Sequence, residues 1–176
     1  MTNINLAAPI VAGISAAGYI IGSKVSSLEE LDSAVLIDSS RQSTSAQLLT
    51  SKGWMYSDSY SKEGDLCCQK TYYYKDDIVR LQFNSTGILY CIYLSIGYEG
   101  TAFQKIGVGS KLLELEELFE VDYDSGDDMY YAKEKSGITG ISFYIGEIFG
   151  EDGDIDAKKS EIVMICIHEW SLDCEM

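Results

Sequence analysis

Ile20-Ile21-Gly22-Ser23-Lys24-Val25-Ser26-Ser27-Leu28-Glu29-Glu30-Leu31 returns 87 residues later as Gly107-Val108-Gly109-Ser110-Lys111-Leu112-Leu113-Glu114-Leu115-Glu116-Glu117-Leu118, with seven of twelve positions identical. Each phrase is followed by a tyrosine pair, Tyr72-Tyr73 and Tyr130-Tyr131, and later by a matching Cys-Ile, Cys91-Ile92 and Cys166-Ile167. Self-similarity at a fixed offset is the signature of a repeated supersecondary unit. The reading is therefore a tandem duplication.

Within each phrase, Gly22 and Gly109 permit a tight turn, and Ser23 and Ser110 stand where helix N-caps belong. Val25, Leu28 and Leu31 match Leu112, Leu115 and Leu118, a three-residue spacing that puts them on one helical face. Short apolar strands, Gly18 to Ile21 and Lys105 to Val108, are expected to lead into these helices. Further strands are expected at Gln69–Lys75, Ile78–Phe83, Gly87–Ile96, Met129–Lys133, Gly140–Gly146 and Ser160–Glu169, which are rich in Tyr, Ile, Val and Phe. Asp38 to Gln47 is poor in large apolar residues and reads as a loop before a short helix or turn near Ala46 to Lys52.

The expected fold class is α+β, a tandem duplication of a helix plus antiparallel-sheet unit with helices packed on one sheet face. Residues 1–100 form unit one, with an insertion at about 38–65, and residues 101–176 form unit two, together one compact body.

The net charge of −15 over 176 residues steers the protein toward basic partners and away from nucleic acid and anionic membranes. Five cysteines, including the adjacent Cys67-Cys68, do not suggest a disulfide framework; reduced thiols in a cytoplasmic protein are the simpler account. The first 23 residues carry no charged side chain, yet they lack a positive n-region and are broken by Pro9, Gly13 and Gly18, so a buried strand is expected rather than a secretory signal.

Catalytic motifs are weak. His168 is the only histidine, and its neighbourhood is acidic and apolar rather than suited to a thiolate, so a structural role is expected. Asp152, Asp154 and Asp156 alternate as in a calcium loop, but the sixth and twelfth positions hold Ala157 and Val163, not Gly and Glu. The glycines of Ile106 to Lys111 meet neither phosphate-loop nor dinucleotide spacing. No cofactor, metal or catalytic residue is expected.

The informative constellation is Glu114 to Asp128, with eight acids and no base. Such a density of like charge costs stability unless a basic partner meets it, and interleaved tyrosines supply interface anchors. The candidate partner-binding residues are Glu114, Glu117, Asp122, Tyr123, Asp124, Asp127, Asp128 and Tyr130. A solvated helix face followed by a turn is the plainer account.

The strand-to-helix start Ile106 to Lys111, Leu115-Glu116-Glu117-Leu118, the acidic segment, Tyr130-Tyr131 and Gly140-Ile141-Ser142-Phe143 together resemble bacterial toxin-immunity proteins of the contact-dependent growth-inhibition or polymorphic-toxin type. The repeat of helix plus sheet is also similar in architecture to the β-lactamase inhibitory protein. The resemblance implies a cytoplasmic protein, not an enzyme, that binds and neutralises a cognate toxin, a nuclease with a basic cleft. Generic protein-binding or assembly domains stay open as an alternative, and a hydrolase less so.

Overall fold

A computed structural model describes residues 4–38, 43–59, 69–150 and 153–173. Among these, the chain forms β1 (Ser15–Ala16), β2 (Tyr19–Ile20), β3 (Val35–Leu36), α1 (Thr44–Thr50), β4 (Trp54–Ser59), β5 (Gln69–Tyr74), β6 (Val79–Phe83), β7 (Leu89–Ser95), α2 (Leu112–Glu116), β8 (Val121–Asp124), β9 (Met129–Ala132), β10 (Ile141–Gly146) and β11 (Glu161–His168). The Cys67-Cys68 pair, Asp152 of the calcium-loop-like alternation with its neighbour Glu151, and parts of the 38–65 insertion lie outside the described residues.

Nine strands make one sheet in the order β3-β4-β5-β6-β7-β11-β10-β9-β8. All pairings are antiparallel except β3 with β4. Two four-stranded meanders, β4 to β7 and β8 to β11, thus meet through their fourth strands, where Ile92 faces Ile167.

This corrects the expected fold class. The protein is mostly β, not an α+β fold with helices packed on a sheet. Among the described residues the α-helices, α1 and α2, run seven and five residues, and the first phrase forms only 3-10 turns at Val25–Ser27 and Glu29–Ser33. So few residues cannot repay helix nucleation by local bonds alone. Like charges at Glu114 and Glu117, three apart, and at Glu116 and Glu120, four apart, further oppose extension of α2.

The repeated residues act chiefly by hooking onto the central strands. Gly22 and Gly109, at φ +89° and +92°, donate their N–H groups to Leu89 and Ile162, at or near the starts of β7 and β11. The Leu89 and Ile162 amides donate in return to the Ser23 and Ser110 carbonyls. Ser23 and Ser110 are not N-caps; those positions fall on Lys24 and Lys111, and the Ser110 hydroxyl accepts from the Gly107 amide. Leu28, Leu31, Leu112 and Leu115 are buried as expected, whereas Leu118 is 43% exposed.

Strand alternation sorts the core. Val79, Leu81 and Phe83 of β6, with Ile92, Leu94, Phe143, Ile165 and Ile167, join Leu28, Leu31, Leu112 and Leu115 in one apolar cluster on one sheet face. Ile10, Ala16, Ala17 and Tyr19 close that cluster from the N-terminal segment. Of the two expected lead-in strands, Tyr19–Ile20 forms, but around Ile106 there is only an isolated bridge to Ala102. No helix among the described residues is long and apolar enough to cross a membrane.

Candidate functional site

The opposite face is built by one row of cross-strand partners. Val35, Met55, Tyr73, Arg80, Tyr93, Cys166, Ser142, Tyr131 and Asp122 face one another in succession from β3 to β8. Because successive side chains alternate between faces, this row lies opposite the Leu81–Ile92–Ile167–Ile141 row of the core. Tyr73, Tyr93, Tyr131 and the neighbouring Tyr144 and Met164 are half-buried.

In the first half of the row, the Arg80 guanidinium lies 5.5 Å from the Tyr73 ring centre and 5.1 Å from that of Tyr93. Its Nε donates to Asp77 at 3.1 Å. Burial opposes its charge, but Asp77 and the tyrosines hold its pKa above the ordinary value. In the second half, the Tyr131 hydroxyl donates to Asp127 at 2.8 Å, and its ring meets His168 edge-on.

The expected partner-binding residues divide into two groups. Glu114 is taken up locally, accepting the Lys111 amide at 2.9 Å. Glu117 pairs with Lys105 at 3.1 Å, and Asp122 pairs with Lys133 at 3.4 Å. Lys133 and Lys135 also hold Glu120, depressing its pKa by hydrogen bonding and charge. The run without a base in sequence is therefore partly neutralised in space. A groove of about 440 Å³ between α2 and the β8–β9 hairpin carries both signs, with Glu116, Glu117 and Glu120 opposite Lys133 and Lys135.

Asp124, Asp127 and Asp128 form the second group, at the tip of the hairpin. Among the described residues none has a lysine or arginine within 4.0 Å. Each is nevertheless fixed: Asp124 accepts the Gly126 amide at 2.8 Å, Asp127 accepts Tyr131, and Asp128 accepts the Tyr123 hydroxyl at 2.6 Å. That last bond lifts the Tyr123 pKa to about 12, because a carboxylate acceptor favours the neutral phenol. Tyr123 is 49% exposed and its ring packs 5.2 Å from Tyr130, which is buried and donates to Glu147 at 2.7 Å.

β8 is also the edge of the sheet. The Lys133 amide donates to the Glu120 carbonyl, so the hydrogen-bonded pairs run Glu120/Lys133, Asp122/Tyr131 and Asp124/Met129. Val121 and Tyr123 therefore turn their N–H and C=O groups outward, and among the described residues nothing pairs with them. The sequence predicts a helix face followed by a turn here rather than a strand; the alternation Val121-Asp122-Tyr123-Asp124 before Gly126 is the one signal of the strand.

His168, the sole histidine, stacks on Trp170 with ring centres 4.3 Å apart. It is 6% exposed, its Nε2 is buried without a partner, and burial lowers its pKa to about 4. The nearby Cys91 thiol is pushed up by burial and by Cys166. Such a pair stays neutral at pH 7. Asn84, which opens the glycosylation-type triplet Asn84-Ser85-Thr86, is buried, its side chain donating to the Leu172 carbonyl and accepting from the Thr86 and Ile88 amides.

Compared with protein-family models, with curated proteins and with solved structures, the chain matches none.

Proposed function

We propose that this chain is a cytoplasmic immunity-type inhibitor that binds a basic toxin domain, a nuclease whose cleft accepts polyanions. The observation that carries the reading is the β8–β9 tip, where Asp124, Asp127 and Asp128 have no lysine or arginine within 4.0 Å among the described residues yet are held in place by Tyr123, Tyr131 and the Gly126 amide. Fixed acids lose little freedom on binding, so their attraction to a basic surface is retained. Beside them, the outward backbone groups of Val121 and Tyr123 offer an edge onto which an extended basic segment adds as a strand. Asp122 and Asp124 on that edge discourage pairing with another copy of this chain. Half-buried Tyr73, Tyr93 and Tyr131 extend the surface with amphipathic anchors.

The test is co-purification of the full chain with the products of its neighbouring genes, followed by binding to the captured protein at two salt concentrations. Changing Asp124, Asp127 and Asp128 together to Lys should slow association at least ~10-fold at low salt, while raising salt should narrow the difference. Unchanged association, with the variant folded, overturns this surface.

A protein-assembly role is the second reading. It is favoured by Val35, Leu36 and Leu49, which are 61%, 54% and 66% exposed near the opposite edge of the sheet. Replacing Leu36 and Leu49 by Asp would then abolish partner binding while the triple Lys variant leaves it intact.

A further inference from the structure

Cys91 and Cys166 stand where the two meanders join. Cys91 faces His168 and Cys166 faces Tyr93, so the thiols are diagonal neighbours across β7 and β11 on the same sheet face. Their sulfurs lie 3.1 Å apart and both residues are fully buried. Tyr90 and Met129 pack against them, and Tyr93, Tyr131, Tyr144 and Met164 form the half-buried layer above. The pair thus sits one side chain below the tyrosine-bearing face. A disulfide sulfur–sulfur bond is about 2 Å, so the sulfurs must close by roughly 1 Å, and the two central strands must draw together slightly at this diagonal to seat the link.

We propose that Cys91 and Cys166 are an oxidation site, forming a disulfide that locks the two halves of the sheet together when a small peroxide reaches the thiols. One thiol is oxidised by hydrogen peroxide to a sulfenic acid with release of one water. The sulfur of the second attacks that sulfenic sulfur, forming the S–S bond as hydroxide leaves and takes the second thiol proton to give another water. Two thiols and one peroxide become one disulfide and two waters. Burial holds the Cys91 thiol protonated and keeps oxidant away from both sulfurs, so the first step is slow and the cross-link accumulates under sustained rather than brief oxidation. Bulky oxidants such as glutathione disulfide are excluded by the overlying side chains. The link would span the chain from residue 91 to residue 166, a long loop whose closure restricts the unfolded state more than the folded one.

The experiment uses the full chain with Cys67→Ser, Cys68→Ser and Cys174→Ser, three positions outside the described residues. It is held in hydrogen peroxide for about a day and then blocked with an alkylating reagent. Tryptic mapping without reductant should join the Leu81–Lys105 peptide to the Ser160–Met176 peptide, two hydrogens lighter than their sum. The melting temperature should rise by roughly 5–15 °C relative to a Cys166→Ser control oxidised alongside. Recovery of both peptides alkylated, or carrying sulfinic acid, overturns the proposal. A cross-link that forms only in denaturant, or that lowers the melting temperature, overturns it equally, because the folded sheet would then not accommodate the bond.

Discussion

Replacing Gly140 by Ala tests how the N-terminal segment is fastened to the second meander. Gly140 precedes β10 at φ +74°, and a Cβ there would lie 2.4 Å from the Gly13 Cα, 2.8 Å from the Gly13 nitrogen and 2.9 Å from the His168 carbonyl oxygen. All three are backbone atoms, so no side chain can rotate away. The Gly140 carbonyl also accepts from the Gly13 amide at 2.8 Å and the His168 amide at 3.1 Å, and separating the segments weakens these bonds. Left-handed backbone costs alanine about 1 kcal/mol and impaired hydrogen bonds add about 2 kcal/mol, for a total near 3 kcal/mol. For a domain of this size, that is a melting-temperature loss of roughly 6–12 °C. Gly137 supplies the control, since its φ is +68° but nothing lies within 4 Å of its would-be Cβ. Gly137→Ala should pay only the backbone term, about 1 kcal/mol or roughly 2–4 °C. Differential scanning calorimetry of both variants separates close approach from strain. Equal losses would refute the contact between residues 13 and 140.

Lowering the pH from 6.5 to 4 should erode stability through His168, because the unfolded chain takes up a proton near 6.5 while the folded one resists until about 4. The contribution approaches about 3 kcal/mol at most, and His168→Gln should flatten that part of the urea-stability profile; a slope identical to wild type counts against burial of the ring. Asp128→Asn removes the carboxylate acceptor, so ultraviolet titration should show the Tyr123 phenol ionising at lower pH than its present value of about 12. Asn84→Ala strands the Leu172 carbonyl and the Thr86 and Ile88 amides, and should cost about 2–3 kcal/mol in chemical denaturation. Lys105→Ala, by contrast, breaks only an exposed pair with Glu117 and should change stability by less than about 1 kcal/mol.

The central strands were legible because their chemistry alternates or is continuously apolar. Val79, Leu81 and Phe83 alternate with Arg80 and Gln82, and β7 carries the unbroken run Leu89 to Leu94 expected of a strand covered on both faces. β4 was hidden because Trp54 and Tyr56 pack into the core cluster while Met55 packs with Leu48 of α1 on the other side, leaving no two-residue period. The first phrase misled for a sharper reason. A spacing of three, as in Val25, Leu28 and Leu31, aligns residues on a 3-10 turn as readily as on an α-helix. Acid density marked the hairpin, yet only the folded register shows Lys105, Lys133 and Lys135 returning to Glu117, Glu120 and Asp122 and leaving the tip uncompensated.

The place of β11 in the middle of the sheet has a consequence for biosynthesis. β7 leaves the ribosome with Ile92 and Leu94 along an unpaired flank, and its neighbour Glu161–His168 is not yet translated. At ordinary elongation speeds of about 5–20 residues per second, that flank waits about 3–13 s for its mate. During that interval a nascent first meander can recruit the final strand of another molecule in place of its own. Exchanged dimers should therefore accumulate when expression is fast and crowded, and diminish when translation is slowed.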